Sequence, residues 1–204
     1  MTDNLFLDWI LFNWLEIIGF ITALFSIYLQ IKQKAAYWPV SMLMVSLYIA
    51  IYYNSKFYAD MSLQFYYLFV SVFGWYFWVS GKRKSISKKK ITVAQTTKRQ
   101  KLSLLLLTIV FFGTISFVLK NYTDSPIPYW DALTTAISFT ATWLLAKKYI
   151  ENWLLWLVAN PISVGLYIYR ELYLTAILFI ILSFLAVVGY LQWKKDLLKH
   201  EKDV

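Results

Sequence analysis

Residues 151–167 read ENWLLWLVANPISVGLY and set two indoles, a carboxamide, a hydroxyl and a phenol at helical spacing. Trp153, Trp156, Asn160, Ser163 and Tyr167 fall at i, i+3, i+7, i+10 and i+14, which is one face of an α-helix. The opposite positions are Leu154, Leu155, Val158, Ile162 and Leu166. In a bilayer the aliphatic side suits lipid, and the polar, aromatic side suits a packed interior or a wet cavity. At about 1.5 Å per residue, Asn160 lies about 12 Å above the start of this segment, near mid-bilayer. Pro161 follows it and frees the carbonyl of Leu157, making the segment either a hinge or a static kink.

Each residue also has a packing explanation. Trp153 is near the membrane interface, where belts of Trp occur, and an Asn at mid-depth commonly bonds a neighbouring helix. Gathered on one face beside Ser163, the set points to binding. Residues 38–55 carry Trp38, Ser41, Tyr48 and Tyr52 on the equivalent face. In YADMSLQF, Asp60 lies near the outer end, whereas Gln64 is a turn deeper and is expected to face inward, to a solute or to another helix. Thr135, Ser138 and Thr142 also follow helical spacing, although such hydroxyls often bond back to their own helix. The candidate binding set is therefore Trp153, Trp156, Asn160, Ser163 and Tyr167 with Trp38, Tyr48 and Gln64. Indoles with neutral hydrogen-bonders suit a flat, aromatic, cationic solute. A Trp face holds a cation with about 0.5–2 kcal/mol, and Asn and Gln both donate and accept.

The elements that must position these residues are membrane spans. The 204-residue chain is 60% hydrophobic and 20% aromatic, against about 45–50% apolar for a soluble domain. Apolar runs near the roughly 20 residues that cross a bilayer recur at 14–32, 38–55, 59–80, 102–120, 129–147, 152–169 and 172–193. Residues 1–13 are apolar but short, carry Asp8, and read as an interfacial stub without the features of a signal peptide. With the N-terminus outside, 17 of the 20 basic residues fall on the inner side and Lys56, Lys120 and Arg170 fall outside. The positive-inside rule then gives N-out, C-in. The net charge of +9 is thus a topology signal and a contact to anionic lipid, not a nucleic-acid surface.

Shifting the chain by 115 residues aligns Glu16 with Asp131, Lys32 with Lys147, Trp38 with Trp153, Tyr52 with Tyr167, Tyr58 with Tyr173, Gly74 with Gly189 and Trp78 with Trp193. Identity over 16–81 is only 10 of 66 positions, but it favours rare residues at corresponding ends of corresponding spans. Residues 14–81 therefore read as a three-helix bundle repeated at 129–193. A three-helix unit crosses an odd number of times, so one further crossing, at 102–120, is needed to make the copies parallel. That linker span is apolar all round and is expected to face lipid. A basic inner loop, 82–101, and an inner tail, 194–204, complete the organisation. The binding face is not duplicated: Trp156 and Asn160 align with Ser41 and Val45.

No acidic or basic residue falls at mid-membrane, since Glu16, Asp60, Asp131 and Glu171 lie near the outer ends of spans, and the single histidine, His200, is in the tail. A proton relay, which needs intramembrane Asp, Glu or His, is not expected, nor are a nucleotide-driven pump, a cofactor, a metal or an enzymatic activity. There is no Walker motif, G-x-S-x-G or H-E-x-x-H, and no cysteine. Facilitated diffusion is the simplest mechanism.

The chain resembles the PnuC family of bacterial vitamin transporters. The resemblance is carried by NWLLWLVAN, which matches the family's W-x-x-W-x-x-x-N/D motif, by SKFYADMSLQFYYLFVSVFGWYFW and by YTDSPIPYWDALTTA, and it spans residues 14–195. It implies an all-α integral membrane protein of the inner membrane. Seven transmembrane helices would form two parallel three-helix bundles joined by a linker helix, the full-length relative of the SWEET architecture. It implies uptake of nicotinamide riboside, or in close relatives thiamine or riboflavin, without metabolic coupling, followed by phosphorylation in the cytoplasm. Homotrimers occur in the family. The resemblance places Trp153, Trp156 and Asn160 on the substrate motif, and Gln64 and Trp38 near it by position and by the repeat. A neutral Asn160, where some relatives have Asp, favours nicotinamide riboside. A SWEET-type sugar carrier is the nearest structural rival, although two indoles exceed what a small sugar needs.

Overall fold

The computed structural model describes residues 5–54, 58–80, 92–171 and 173–202, with side chains described for 18–49, 63–80, 92–171 and 173–199. Seven helices account for nearly all of it: α1 (Leu5–Ile31), α2 (Tyr37–Asn54), α3 (Tyr58–Ser80), α4 (Lys98–Tyr122), α5 (Pro128–Ala146), α6 (Glu151–Tyr169) and α7 (Tyr173–Lys202). No strand occurs among the described residues. α1 runs back without a break to Leu5, so residues 5–13 are its first turns and not a separate segment. At the other end α7 continues through the tail to Lys202. α4 starts at Lys98, four residues before the apolar run, because Thr97 and Gln100 form a capping box. Most of the basic loop, 81–91, and the side chains of Glu16, Tyr52, Tyr58 and Asp60 lie outside the described residues.

The contacts of the first half recur in the second at the 115-residue offset. α1 and α5 are each followed, two positions past their last residue, by a left-handed residue, Gln33 at φ 52° and Lys148 at φ 55°. Both endings close with the same hydrogen bonds. Lys34 N donates to Leu29 O and Tyr149 N to Leu144 O, each at 2.9 Å, the long-range bond of a Schellman turn. Trp38 meets Trp78 edge-on at 5.4 Å, and Trp153 meets Trp193 likewise at 5.6 Å. The indoles of Trp38 and Trp153 are wholly buried and lie against Gly74 and Gly189. A Cβ at Gly74 would come within 2.4 Å of the Trp38 ring, and one at Gly189 within 2.5 Å of the Trp153 ring.

The halves are also joined crosswise. Trp78 Nε1 donates to the carbonyl of Ala146, the last residue of α5, at 3.1 Å, and Trp193 Nε1 donates to Ile31, the last residue of α1, at 3.2 Å. Reciprocal bonds between equivalent atoms are what a two-fold relation between the halves produces.

Packing around α1 and α5 breaks this symmetry. α4 lies along α5, and α6 and α3 pack on its other sides, so that eleven of its nineteen residues are buried. Residues 92–97 strap the α5–α6 turn: Ala94 N donates to Lys148 O and Ile150 N to Ala94 O, both at 3.0 Å. Thr96 adds bonds from its N–H and hydroxyl to Glu151 Oε1. Among the described residues α1 meets only α2 and α7, and its buried side chains are Leu29, Gln30 and Ile31. Space is therefore left beside α1 and not beside α5. α4 turns Leu102, Leu105, Leu106, Ile109, Val110 and Phe117 outward, the surface expected of a helix facing lipid. At the far end Arg170, just past α6, pairs with Asp131 in the first turn of α5.

The glycine seats generate a stability prediction. Gly189→Ala forces a methyl into the fully buried Trp153 ring and is expected to destabilise by about 1–3 kcal/mol, read as a lowered unfolding temperature in detergent. Gly165→Ala, where a Cβ meets nothing within 4 Å, is expected to be neutral or up to about 1 kcal/mol stabilising. Equal melting of the two variants would show that the seat does not hold the fold.

Candidate functional site

The space beside α1 is a cavity of about 550 Å³ walled by α1, α2, α6 and α7, with Gln64 entering from α3. α6 contributes Trp153, Trp156, Asn160 and Tyr167 because these share one helical face, while Leu154 and Val158 on the other face are exposed. α2 contributes Tyr37, Ser41, Met44, Val45 and Tyr48, again one face. α7 supplies Thr175, Phe179, Leu182 and Ala186, spaced i, i+4, i+7 and i+11.

Six of the eight residues singled out from the sequence line this cavity: Trp153, Trp156, Asn160, Tyr167, Tyr48 and Gln64. Trp38 and Ser163 do not. Trp38 faces the glycine seat on α3 and the edge of Trp78, filling in its half the place that Trp153 fills in the other. Ser163 is buried outside the cavity wall. Trp153 itself has no exposed surface and forms the back of the cavity, whereas Trp156, one turn on, is only partly buried. The hydroxyls of α5 take no part: Thr142 bonds to Ser138 O, and Thr134 and Thr140 to carbonyls a turn before them.

The whole α1 wall was missed in the sequence, although a signal was present. Gly19, Ala23, Ser26 and Gln30 fall at i, i+4, i+7 and i+11, a stripe of small and polar residues on an otherwise oily helix. Gly19 lets the helix approach α2, since a Cβ there would lie 3.3 Å from the Tyr48 hydroxyl. Thr175 and Phe179 were missed for another reason, because the aliphatic background of α7 hides their face.

The described walls are neutral. No charged side chain lines the cavity among the described residues. The hydrogen-bonding groups are Ser26, Gln30, Ser41, Gln64, Asn160 and Thr175, together with the phenols of Tyr37, Tyr48 and Tyr167. Among them, Ser41 lies 3.1 Å from Ser71, and Ser26 points at the sulfur of Met44. Tyr167 packs tilted against Phe179 at 4.9 Å, so aromatic faces from α6 and α7 meet at the wall. Such a site can sandwich a planar ring, attract a cation through ring faces, and hydrogen-bond neutral polar groups. Among the described residues it holds no acid or base for proton chemistry.

Below the cavity the structure is shut. Gln30 is one turn from Gln33, whose Nε2 donates to Asp196 of α7 at 2.8 Å, and Trp153 leans on Trp193, which is bonded to Ile31. Lys148 reaches Gln33 Oε1 at 3.5 Å and lies over the Trp78 ring at 4.5 Å.

Comparison with known proteins agrees with this architecture. The family model described as "Nicotinamide mononucleotide transporter" matches residues 13–195. The chain is 25% identical over 205 residues to the nicotinamide riboside transporter PnuC of Escherichia coli (strain K12), covering 89% of this chain and 85% of the relative. It is 27% identical over 187 residues to the protein of that name from Haemophilus influenzae, covering 90% and 80%. It is 22% identical over 184 residues to the riboflavin/roseoflavin transporter RibM of Streptomyces davaonensis, covering 88% and 84%. Its fold is similar to the crystal structure of the vitamin B3 transporter PnuC, with a TM-score of 0.71 at 24% identity, over 92% of this chain and 83% of that one. The chain thus belongs to the nicotinamide mononucleotide transporter family, the PnuC family of multi-pass membrane transporters.

Proposed function

We propose that this protein carries nicotinamide riboside across the bacterial inner membrane by facilitated diffusion, with its N-terminus outside and C-terminus inside. The observation that carries the reading is the neutral, aromatic-walled cavity between α1–α2 and α6–α7, which presents Trp156, Asn160 and Gln64 to one space. A pyridinium riboside is flat, cationic and rich in groups that pair with carboxamides. Ring faces attract its charge, and Asn160 and Gln64 can each donate to or accept from its amide and hydroxyls. The names of the relatives support the same cargo. Thiamine, also flat and cationic, answers the cation–π argument equally well and is the second reading. A neutral flavin answers it less well.

The inner ends of the spans carry most of the basic residues, so the shut end of the cavity faces the cytoplasm. Release inward then requires α1 and α7 to part there, breaking the Trp193–Ile31 and Gln33–Asp196 bonds. α1, loosely held on its outer side, is the element free to move. Net uptake comes from consumption of the cargo inside by phosphorylation, a reading supported by the lack of charged side chains among the described lining residues. The two halves act as parallel three-helix bundles with α4 as linker, which suits rocking about the shared crosswise bonds.

Two tests follow from the cavity. Titration of purified protein with nicotinamide riboside, thiamine and riboflavin is expected to quench Trp fluorescence most strongly with the riboside, and Trp156→Ala is expected to weaken binding about tenfold or more at unchanged helicity. An alanine variant with native affinity would reduce that indole to packing. In proteoliposomes, flux of the riboside is expected to equilibrate and to ignore imposed proton and sodium gradients. Accumulation above the outside concentration under either gradient would overturn facilitated diffusion.

A further inference from the structure

We propose that Gln30 contacts the substrate and that its terminal amide donates to an acceptor oxygen of the cargo at the inner end of the cavity. The proposal deepens the reading of the cavity as a vitamin site and rests on it. Three observations meet at this residue. Gln30 lines the cavity from the last turn of α1. It is only 4% exposed. Its Nε2 is fully covered and has no hydrogen-bond partner among the described residues. A buried amide with an unused donor weakens a fold, so its presence calls for a reason outside the resting packing.

The repeat supplies the control. Shifted by 115 residues, Gln30 falls on Leu145, which is 1% exposed and sits in the apolar core. The surroundings match on both sides: each residue lies three before its left-handed residue, Gln33 or Lys148, and each has its carbonyl bonded by that residue's N–H. The helix ending therefore works with a leucine, and the amide is not needed to form it. A neighbouring orphan makes the contrast sharper. The indole N–H groups of Trp38 and Trp153 are both buried without a partner, one in each half, so that feature travels with the fold. The unpartnered amide donor of Gln30 has no equivalent at Leu145, and of these two positions only Gln30 lines the cavity. Ser26, one turn earlier on the same stripe, has Ala141 as its counterpart, whereas Gly19 and Ala23 further out have Thr134 and Ser138, so the polar groups gained on the α1 side are confined to the inner end of the stripe.

The amide acts at the inner end, beside Trp153 and next to the bonds that must open for release. A donor there orients an oxygen-bearing end of the cargo towards the cytoplasmic exit, with the ring deeper against Trp156. The reach of a glutamine lets the same amide follow the cargo as α1 moves.

The test uses the full-length protein in detergent, with Gln30→Leu as the substitution that the repeat itself offers and Gln30→Met as an unbranched alternative should the leucine fail to fold. The expected result is a split: unfolding temperature equal to or above wild type, and affinity for nicotinamide riboside about tenfold weaker by Trp quenching. A packing role would move both in the same direction, so a variant that melts lower and binds weaker overturns the proposal, as does a folded variant with wild-type affinity. If wild-type protein binds none of nicotinamide riboside, thiamine and riboflavin, the functional reading falls and this assignment with it. If wild type binds and Gln30→Leu binds equally well, only the assignment falls.

Discussion

Two indole N–H groups, each donated across the molecule to the last carbonyl of a helix in the other half, set the geometry on which the rest of this structure depends. A helix leaves its final carbonyls without intrahelical partners, and burying one of them unpaired is costly. Here the carbonyls of Ile31 and Ala146 are covered by Trp193 and Trp78. Each tryptophan stands where it does because a second indole, Trp153 or Trp38, packs edge-on against it and fits against a glycine. The chain of dependence runs from a missing Cβ, to a buried ring, to a crosswise bond. The left-handed residues Gln33 and Lys148 turn the chain straight after each receiving carbonyl, so the loops stay clear of the bond.

A symmetric frame alone would give two equal cavities or none. The asymmetry comes from what is added outside the repeat. Among the described residues α4 and the strap at 92–97 have no counterparts in contact with α1, and both bear on α5 or on the turn that follows it. They fill one flank and fix the start of α6, where Trp153 and Trp156 begin the aromatic face. With α5 held, the opening falls beside α1, and at its inner end polar residues replace apolar ones. Gln30 and Ser26 stand where the filled side has Leu145 and Ala141. The repeated contacts form the scaffold, and the cavity lies where the two halves differ.

That distinction explains what was legible in the sequence. Spans two to seven, the repeat and the aromatic face of α6 were readable because each repeats a simple physical rule: bilayer length, residue identity at a fixed shift, and helical periodicity. Trp38 was drawn into the candidate site by the same repeat that correctly paired it with Trp153. Pairing reports equivalent packing, and only one of the two places borders a cavity. Ser163 obeyed the periodicity of its face but lies outside the wall, because a face that is continuous in sequence can pass from cavity to packed interior along one helix. The α1 stripe went unread because glycine, alanine and serine carry little signal individually. Which flank of a duplicated frame stays open is set by α4 and the strap, and no local pattern in α1 records their effect.

The neutrality of the described cavity walls bears directly on how such a carrier works. A carrier that moves its cargo downhill must also return empty. A carboxylate placed to hold a cation would be left unpaired on that return, in surroundings where an uncompensated charge costs several kcal/mol. It would then take up a proton or a metal cation, and transport would become coupled to that ion. Ring faces avoid the problem. Each attracts a cation by only about 0.5–2 kcal/mol, and an empty aromatic wall has no charge to neutralise. Carboxamides behave similarly: the unpaired donor of Gln30 weakens the fold far less than a bare charge would, and it regains a partner when cargo enters. The walls of aromatic and amide groups therefore suit modest affinity in both directions and an uncharged empty state, and a carrier proposed to run without an energy source needs both of these properties.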